Sequence, residues 1–234
     1  MSIGWSQPDI QEATMDCHDH EPNTHAPIED REELTYHEKR AWAIQSLLVE
    51  KGIITADEVR RQIEMVDSRT PADGAKVVAR AWVDPAFKAR LLRDAKAAVA
   101  ELGLDSGESP VLVAIENAPK VHNVVVCTLC SCYPRALLGL PPDWYKSLSY
   151  RSRAVIDPRS VLREFGLELE PEVEVRVYDS SADMRYLVIP ERPPGTEHMS
   201  EAELASLVTR DSMIGVTKAR SPELQPGLKA AAPA

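Results

Sequence analysis

The feature that most limits how this chain can fold is a knot of sulfur. Three of its four cysteines, Cys127, Cys130 and Cys132, fall in the run Val126-Cys127-Thr128-Leu129-Cys130-Ser131-Cys132-Tyr133. Sulfurs at these spacings can face one point only if the backbone coils tightly around it. Such coiling also brings the intervening amide nitrogens close to that point. The run therefore offers three sulfurs, and with them backbone nitrogens, to a single ion. Soft sulfur ligands select zinc, copper, iron, an iron–sulfur cluster or a late transition metal.

Each of these chemistries makes its own demand. Structural zinc takes four closed ligands, usually as two separated pairs. No second pair follows here, and His122 is the nearby histidine that could complete a Cys3His set. Iron–sulfur clusters take four cysteines, and the fourth, Cys17, is remote in sequence. A thioredoxin-like dithiol would use Cys127 and Cys130 and leave Cys132 unexplained. Three buried, inert cysteines are the bland alternative. A metal site uses all three sulfurs, and at this level zinc remains a serious competitor.

Composition narrows the partners. The chain of 234 residues has 37 acidic against 27 basic side chains, a net charge of −10. A nucleic-acid binder needs a basic surface, so that class is disfavoured. No apolar run is long enough to span a bilayer, and the N-terminus lacks the pattern of a signal peptide. Clustered cysteines are not a secreted disulfide framework. A cytoplasmic protein with no membrane partner is expected.

Along the chain, residues 1–27 are polar and patternless despite Cys17-His18-Asp19-His20 and His25, and disorder is expected. Residues 28–105 read as a helical arm. Leu34, Ala41, Ile44, Leu47 and Leu48 recur at helical spacing, and Gly52 is a natural stop. Thr55-Ala56-Asp57-Glu58 is a capping box. Pro71 and Gly74 are read as breaks, with Asp73 capping a third helix through Val77, Val78 and Ala81. Asp84-Pro85 opens a fourth helix that runs to Glu101. The apolar faces are narrow, which suits either packing on another chain or a helical layer of the same domain.

Residues 106–217 read as the metal-binding catalytic domain, and 218–234 as a disordered tail. Val111–Ile115 and Val124–Val126 are β-like, so the cysteine loop sits at the mouth of a strand. Pro134, Gly139 and Pro141-Pro142 force an irregular path that could wall a pocket with Trp144 and Tyr145. Pro158 opens a short helix ending at Gly166. Val173–Tyr178 alternates as a half-buried strand, with Met184–Ile189 expected as its hairpin partner. Ser200-Glu201-Ala202-Glu203 is a second capping box, and Ser212–Val216 is expected to be a final strand. The mixture predicts an α/β (α+β) fold of layered sheets covered by helices.

The cysteine run resembles the metal-binding loop of the nitrile hydratase alpha subunit. The similarity continues through Glu116-Asn117-Ala118-Pro119, His122–Val126, Leu138–Lys146, Arg176–Asp179, Arg185-Tyr186, Arg192–Glu197 and Thr209–Gly215, covering roughly Leu34 to Val216. The resemblance implies a four-layer α-β-β-α domain, with the preceding arm wrapped on a beta subunit in an αβ or α2β2 assembly. It implies a low-spin Co(III), one per chain, held by the sulfurs of Cys127, Cys130 and Cys132 and the deprotonated amides of Ser131 and Cys132. Thr128 matches the cobalt branch. The iron branch usually carries serine there, so Fe(III) is the less favoured metal.

Further implications concern chemistry. The residue matching Cys130 is oxidised to sulfinic acid and that matching Cys132 to sulfenic acid, which makes these two the catalytic candidates. Two arginines of the beta subunit serve the oxidised sulfurs, and an activator protein can load the metal. A nitrile is the implied substrate and an amide the product. Arg135 could reach an oxidised sulfur, Tyr133 is read as packing, His122 as structural, and Glu108 carries no assigned catalytic role. Two alternatives stand: the catalytic subunit of a thiocyanate hydrolase-like enzyme, which has a similar loop, and a non-catalytic zinc-stabilised interaction domain.

Overall fold

The computed structural model describes residues 34–107 and 109–222. The expected disorder of residues 1–27, most of the expected tail and Glu108 lie outside the described residues. The chain divides after Ala43, and the core and site described below belong to the unit from Ile44 onward. No helix among the described residues is long and apolar enough to cross a membrane.

Helix α1 is Tyr36–Glu50 and α2 is Ala56–Asp67. Gly52 follows α1 with φ +66°, a conformation that favours glycine. Thr55 and Glu58 form the anticipated capping box of α2. No residue of either helix is buried, and Trp42, Ile44, Leu47, Ile63 and Met65 are exposed.

Helix α3, Pro71–Val83, corrects the sequence expectation. Pro71 and Gly74 do not break it. Thr70 is the cap, accepting from the Ala72 N–H, and Pro71 occupies the first turn, where no amide donor is needed. Gly74 is inside the helix because a Cβ there would meet Leu138 Cδ2 at 2.6 Å and Met213 Sδ at 2.7 Å. The expected fourth helix is two, α4 (Pro85–Arg93) and α5 (Ala95–Glu101). Asp94 separates them, its carboxylate accepting from the Ala97 N–H. An aspartate prefers such a cap to a helix interior.

Four strands follow the same logic of burial: β1 (Val111–Glu116), β2 (Val121–Val126), β3 (Glu174–Asp179) and β4 (Met184–Ile189). The expected β3–β4 hairpin does not form. β1 pairs in parallel with β4, and β2 in parallel with β3, with Val126 opposite Asp179. Five consecutive buried residues in β2 are the signature of a strand covered on both faces. Between β2 and β3 lie α6 (Arg135–Leu138), α7 (Asp143–Lys146), α8 (Leu148–Ile156) and α9 (Pro158–Glu164).

Helices α4 and α5 pack on β1, β4 meets β2, and α8 and α9 pack on β2 and β3. This is the expected α-β-β-α order. One apolar cluster joins Val78, Phe87, Leu91 and Val99 to Val124–Val126 and Leu187–Ile189. Residues 28–105 therefore contain both kinds of helix: exposed α1 and α2, and core-forming α3 to α5. After β4 come α10 (Glu201–Leu207), with its anticipated Ser200–Glu203 box, and α11 (Arg210–Ile214). The strand expected at Ser212–Val216 is mostly this last helix. Thr209 and Ser212 cap it reciprocally, and Gly215 ends it in the left-handed region at φ +91°.

Candidate metal centre

Strand β2 delivers Cys127 to the end of a buried ladder. Its side chain is fully buried, Cys132 is 9% exposed, and Cys130 is exposed. Cys127 Sγ lies 3.5 Å from Cys130 Sγ, which lies 3.2 Å from Cys132 Sγ. All three sulfurs fall within 4.8 Å of one another, and no other Cys, His, Asp or Glu among the described residues joins them.

These separations suit one ion. Two sulfurs about 2.3 Å from a shared metal stand about 3.3 Å apart at a right angle and about 3.8 Å apart at the tetrahedral angle. The Cys130–Cys132 spacing is the right-angle one, and the Cys127–Cys130 spacing lies midway. The Cys130 N–H donates to Cys127 Sγ at 3.2 Å, and the Ser131 and Cys132 amides help lower the pKa of the Cys130 thiol. The three sulfurs thus converge, as the spacing of the run allows.

Electrostatics separate the thiols. Hydrogen bonding from Cys132, with smaller help from Cys127 and the two amides, lowers the Cys130 thiol to about 7 against an opposing burial effect. Burial, reinforced by the Cys130 contact, pushes the Cys132 thiol up to about 12. The Arg185 charge partly offsets that rise. Of these two thiols, Cys130 is the one that ionises more readily.

A shell of polar groups holds the loop from outside. Asp179, at the end of β3, accepts from the Thr128 N–H at 2.9 Å and from the Thr128 hydroxyl at 2.6 Å. Arg151, on α8, donates to the Cys127 carbonyl at 3.1 Å and to the Thr128 carbonyl at 2.7 Å. The buried Tyr145 hydroxyl donates to the Cys132 carbonyl at 2.8 Å, and the Tyr150 hydroxyl to the Val125 carbonyl at 2.7 Å. Sequence reasoning assigned no role to Arg151 or Asp179. The alternation that defines β3 placed Asp179 near its end, but only parallel pairing brings it beside Thr128.

Other expectations find their places. His122 is buried. Its Nε2 lies 2.7 Å from the Gly215 carbonyl and its Nδ1 3.2 Å from Asn117 Nδ2, so the neutral Nε2–H form satisfies both. It is a structural histidine. Tyr133 packs edge-on against Tyr145 at 5.3 Å. Tyr145 lies under the loop, and Trp144 packs on Tyr150 and Phe165 rather than on the cavity wall. A cavity of about 470 Å³ opens over Cys130, Ser131 and Cys132, with Gln62, Arg69, Arg135 and Arg185 among its walls.

An α+β scaffold that ends a buried strand in three converging thiols, open to a cavity, defines a thiolate metal-site protein. The chain belongs to the nitrile hydratase alpha-chain family, whose model ("Nitrile hydratase, alpha chain") matches residues 35–217. It is 53% identical over 184 residues to the low-molecular-weight cobalt-containing nitrile hydratase subunit alpha of Rhodococcus rhodochrous, covering 78% of this chain and 89% of that one. It is 42% identical over 196 residues to the thiocyanate hydrolase subunit gamma of Thiobacillus thioparus, covering 79% and 81%. Among solved structures, a double mutant of the Fe-type nitrile hydratase from Comamonas testosteroni Ni1 superposes with a TM-score of 0.76 at 42% identity, over 84% of this chain and 98% of that one.

Proposed function

We propose that this chain is the catalytic alpha subunit of a cobalt-dependent nitrile hydratase, converting a nitrile and water to the amide. The observation that carries the reading is the convergence of three cysteine sulfurs beside a cavity that Cys130, Ser131 and Cys132 line. Three relatives at 50–53% identity are named as cobalt-containing, whereas the Fe-type structure is 42% identical. The holding set would be the sulfurs of Cys127, Cys130 and Cys132 and the amide nitrogens of Ser131 and Cys132. Bound there, Co(III) supplies Lewis acidity that polarises a nitrile and activates water.

The chain's own residues set the rest. Exposure decreases from Cys130 to Cys132 to Cys127. That order supports sulfinic acid at Cys130, sulfenic acid at Cys132 and an unoxidised Cys127, since oxidation follows access. An oxygen on Cys132 would serve either as the nucleophile toward the nitrile carbon or as the base that takes a proton from the attacking water. Arg185, on the same cavity, contributes positive charge toward it. The exposed apolar faces of α1 and α2 fit cover by a beta subunit, in an αβ or α2β2 assembly. Three free cysteines in one cluster fit the reducing cytoplasm.

Elemental analysis of the chain purified with its partner tests this reading. About one cobalt per chain, with amide formed from nitrile, is expected from a single loop site. Cys132→Ser should abolish turnover and leave the fold intact. Stoichiometric zinc with unoxidised thiols would overturn the assignment.

A second reading has its own observation. Arg69, Arg135 and Arg185 line the cavity, and no Asp or Glu does so among the described residues. Arg69 also pairs with Asp105 at 3.5 Å. Such walls favour an anionic cyano compound, as a thiocyanate hydrolase-like enzyme would take. Turnover of thiocyanate above that of a neutral nitrile would select it.

A further inference from the structure

Helix α8 sends two consecutive side chains to the end of β2. Tyr150 points into the core and caps the Val125 carbonyl. Arg151 reaches the next free carbonyls, those of Cys127 and Thr128. The Val126 carbonyl between them is taken by the Ser180 N–H at 2.7 Å. Beyond Val126 the parallel ladder stops, so the Cys127 and Thr128 carbonyls have left their strand partners. One guanidinium satisfies both through two nitrogens, Nε and Nη2.

This bond pattern has a geometric consequence. Fixing a carbonyl fixes its peptide plane, and with it the direction of the following N–H. The Cys127 carbonyl turns toward Arg151, while the Thr128 N–H of the same peptide turns to Asp179. The Thr128 carbonyl also turns toward Arg151, and one residue later the Cys130 N–H points to the Cys127 sulfur. Asp179 and Arg151 therefore hold the Cys127–Thr128 peptide from its two sides with opposite charges, and Arg151 also holds the peptide that follows.

We propose that Arg151 is a positioning residue for the metal loop: its two-point grip on the Cys127 and Thr128 carbonyls holds the sulfurs converged for the ion. It also places a fixed positive charge beneath a loop that becomes anionic when its thiols and amides lose their protons. A lysine is a single point charge and cannot reproduce the fork. The inference rests on the metal-site reading, and its readout is metal binding rather than turnover.

The test uses the full chain with its partner, reduced and stripped of metal, titrated with Co2+ while the sulfur-to-cobalt absorption band is recorded. Arg151→Gln is expected to weaken Co2+ binding by about 10- to 100-fold, the range for groups that orient metal ligands. Arg151→Lys should recover part of the affinity with a shifted band. Arg153→Gln, on the same helix but paired with Glu164 at the surface, serves as control and should match the parent. Circular dichroism confirms folding of each. Parent-like affinity and band position in Arg151→Gln would overturn the proposal, as would equal losses in the Arg151 and Arg153 variants. If the parent itself gives no sulfur-to-cobalt band, the metal-site reading fails, separately from the role of Arg151.

Discussion

Asp179 takes both hydrogen bonds that Thr128 can donate, from its amide at 2.9 Å and from its hydroxyl at 2.6 Å. The pair is 51 residues apart in sequence, and the parallel register of β2 on β3 creates it. Asp179 is exposed, so its removal leaves no buried charge. Asp179→Ala should therefore cost stability only about 1 kcal/mol. Cobalt content or amide formation should fall at least about tenfold, because the loop loses an orienting partner. Thermal melts beside metal analysis check both halves, and a variant losing stability alone would contradict the positioning role.

Tyr145 supports the far side of the same loop. Its ring is fully buried, and burial holds its phenol well above the ordinary value, so it remains a donor to the Cys132 carbonyl. Tyr145→Phe strands that carbonyl and should destabilise the fold by about 1–3 kcal/mol. In denaturant the midpoint should drop with an unchanged slope. An unchanged midpoint would mean that the carbonyl finds another donor.

Gly215 and Gly166 make a matched comparison. Both have positive φ, +91° and +77°. A Cβ on Gly215 would lie 1.9 Å from the Asn123 carbonyl oxygen, whereas one on Gly166 meets nothing within 4 Å. Gly166→Ala should cost only backbone strain, about 1–2 kcal/mol. Gly215→Ala adds a backbone collision and disturbs the His122 bond, so a loss above about 4 kcal/mol, or no folded protein, is expected. Similar melting temperatures for the two variants would refute this packing argument.

His122 gives the fold a pH dependence with a definite sign. Burial is the main cause that lowers its pKa below the ordinary 6.5, opposed by the Gly215 bond and aided by Lys218. The folded state therefore favours the neutral ring. Its contribution is complete above pH 6.5 and is lost as pH falls below that value toward the folded pKa. The slope from one such group is at most about 1.4 kcal/mol per pH unit. Stability of the metal-loaded complex measured from pH 7.5 to 5.5 should show this slope, and His122→Gln should flatten it. Parallel curves for the two proteins would remove His122 as the source.

How far the chain could be read from its residues depended on the range of the forces involved. Capping boxes at Thr55 and Ser200, the stops at Gly52 and Gly166, and the run of sulfur were legible because each is local: donors and acceptors lie within about one helical turn. Local rules misread Pro71, taken as a break when Thr70 made it a first-turn residue. They joined α4 to α5 across Asp94, whose cap is visible only when the chain bends there. They made a strand of Ser212–Val216, because a Thr–Ser box is a weaker signal than a Thr–Glu one.

The sequence by itself determined that three sulfurs could meet at one point, since Cys127, Cys130 and Cys132 lie within one short loop. It also determined the family, through motifs spread from Leu34 to Val216. Only the tertiary structure decided what surrounds that loop. Strand pairing is chosen by burial and register between distant segments, so the adjacent β3 and β4 part company and join β2 and β1. That choice, and the packing of α8 on β2, bring Asp179, Arg151 and Tyr145 to the loop's carbonyls and amides. No spacing rule reaches such contacts, because their partners are set by how the layers stack.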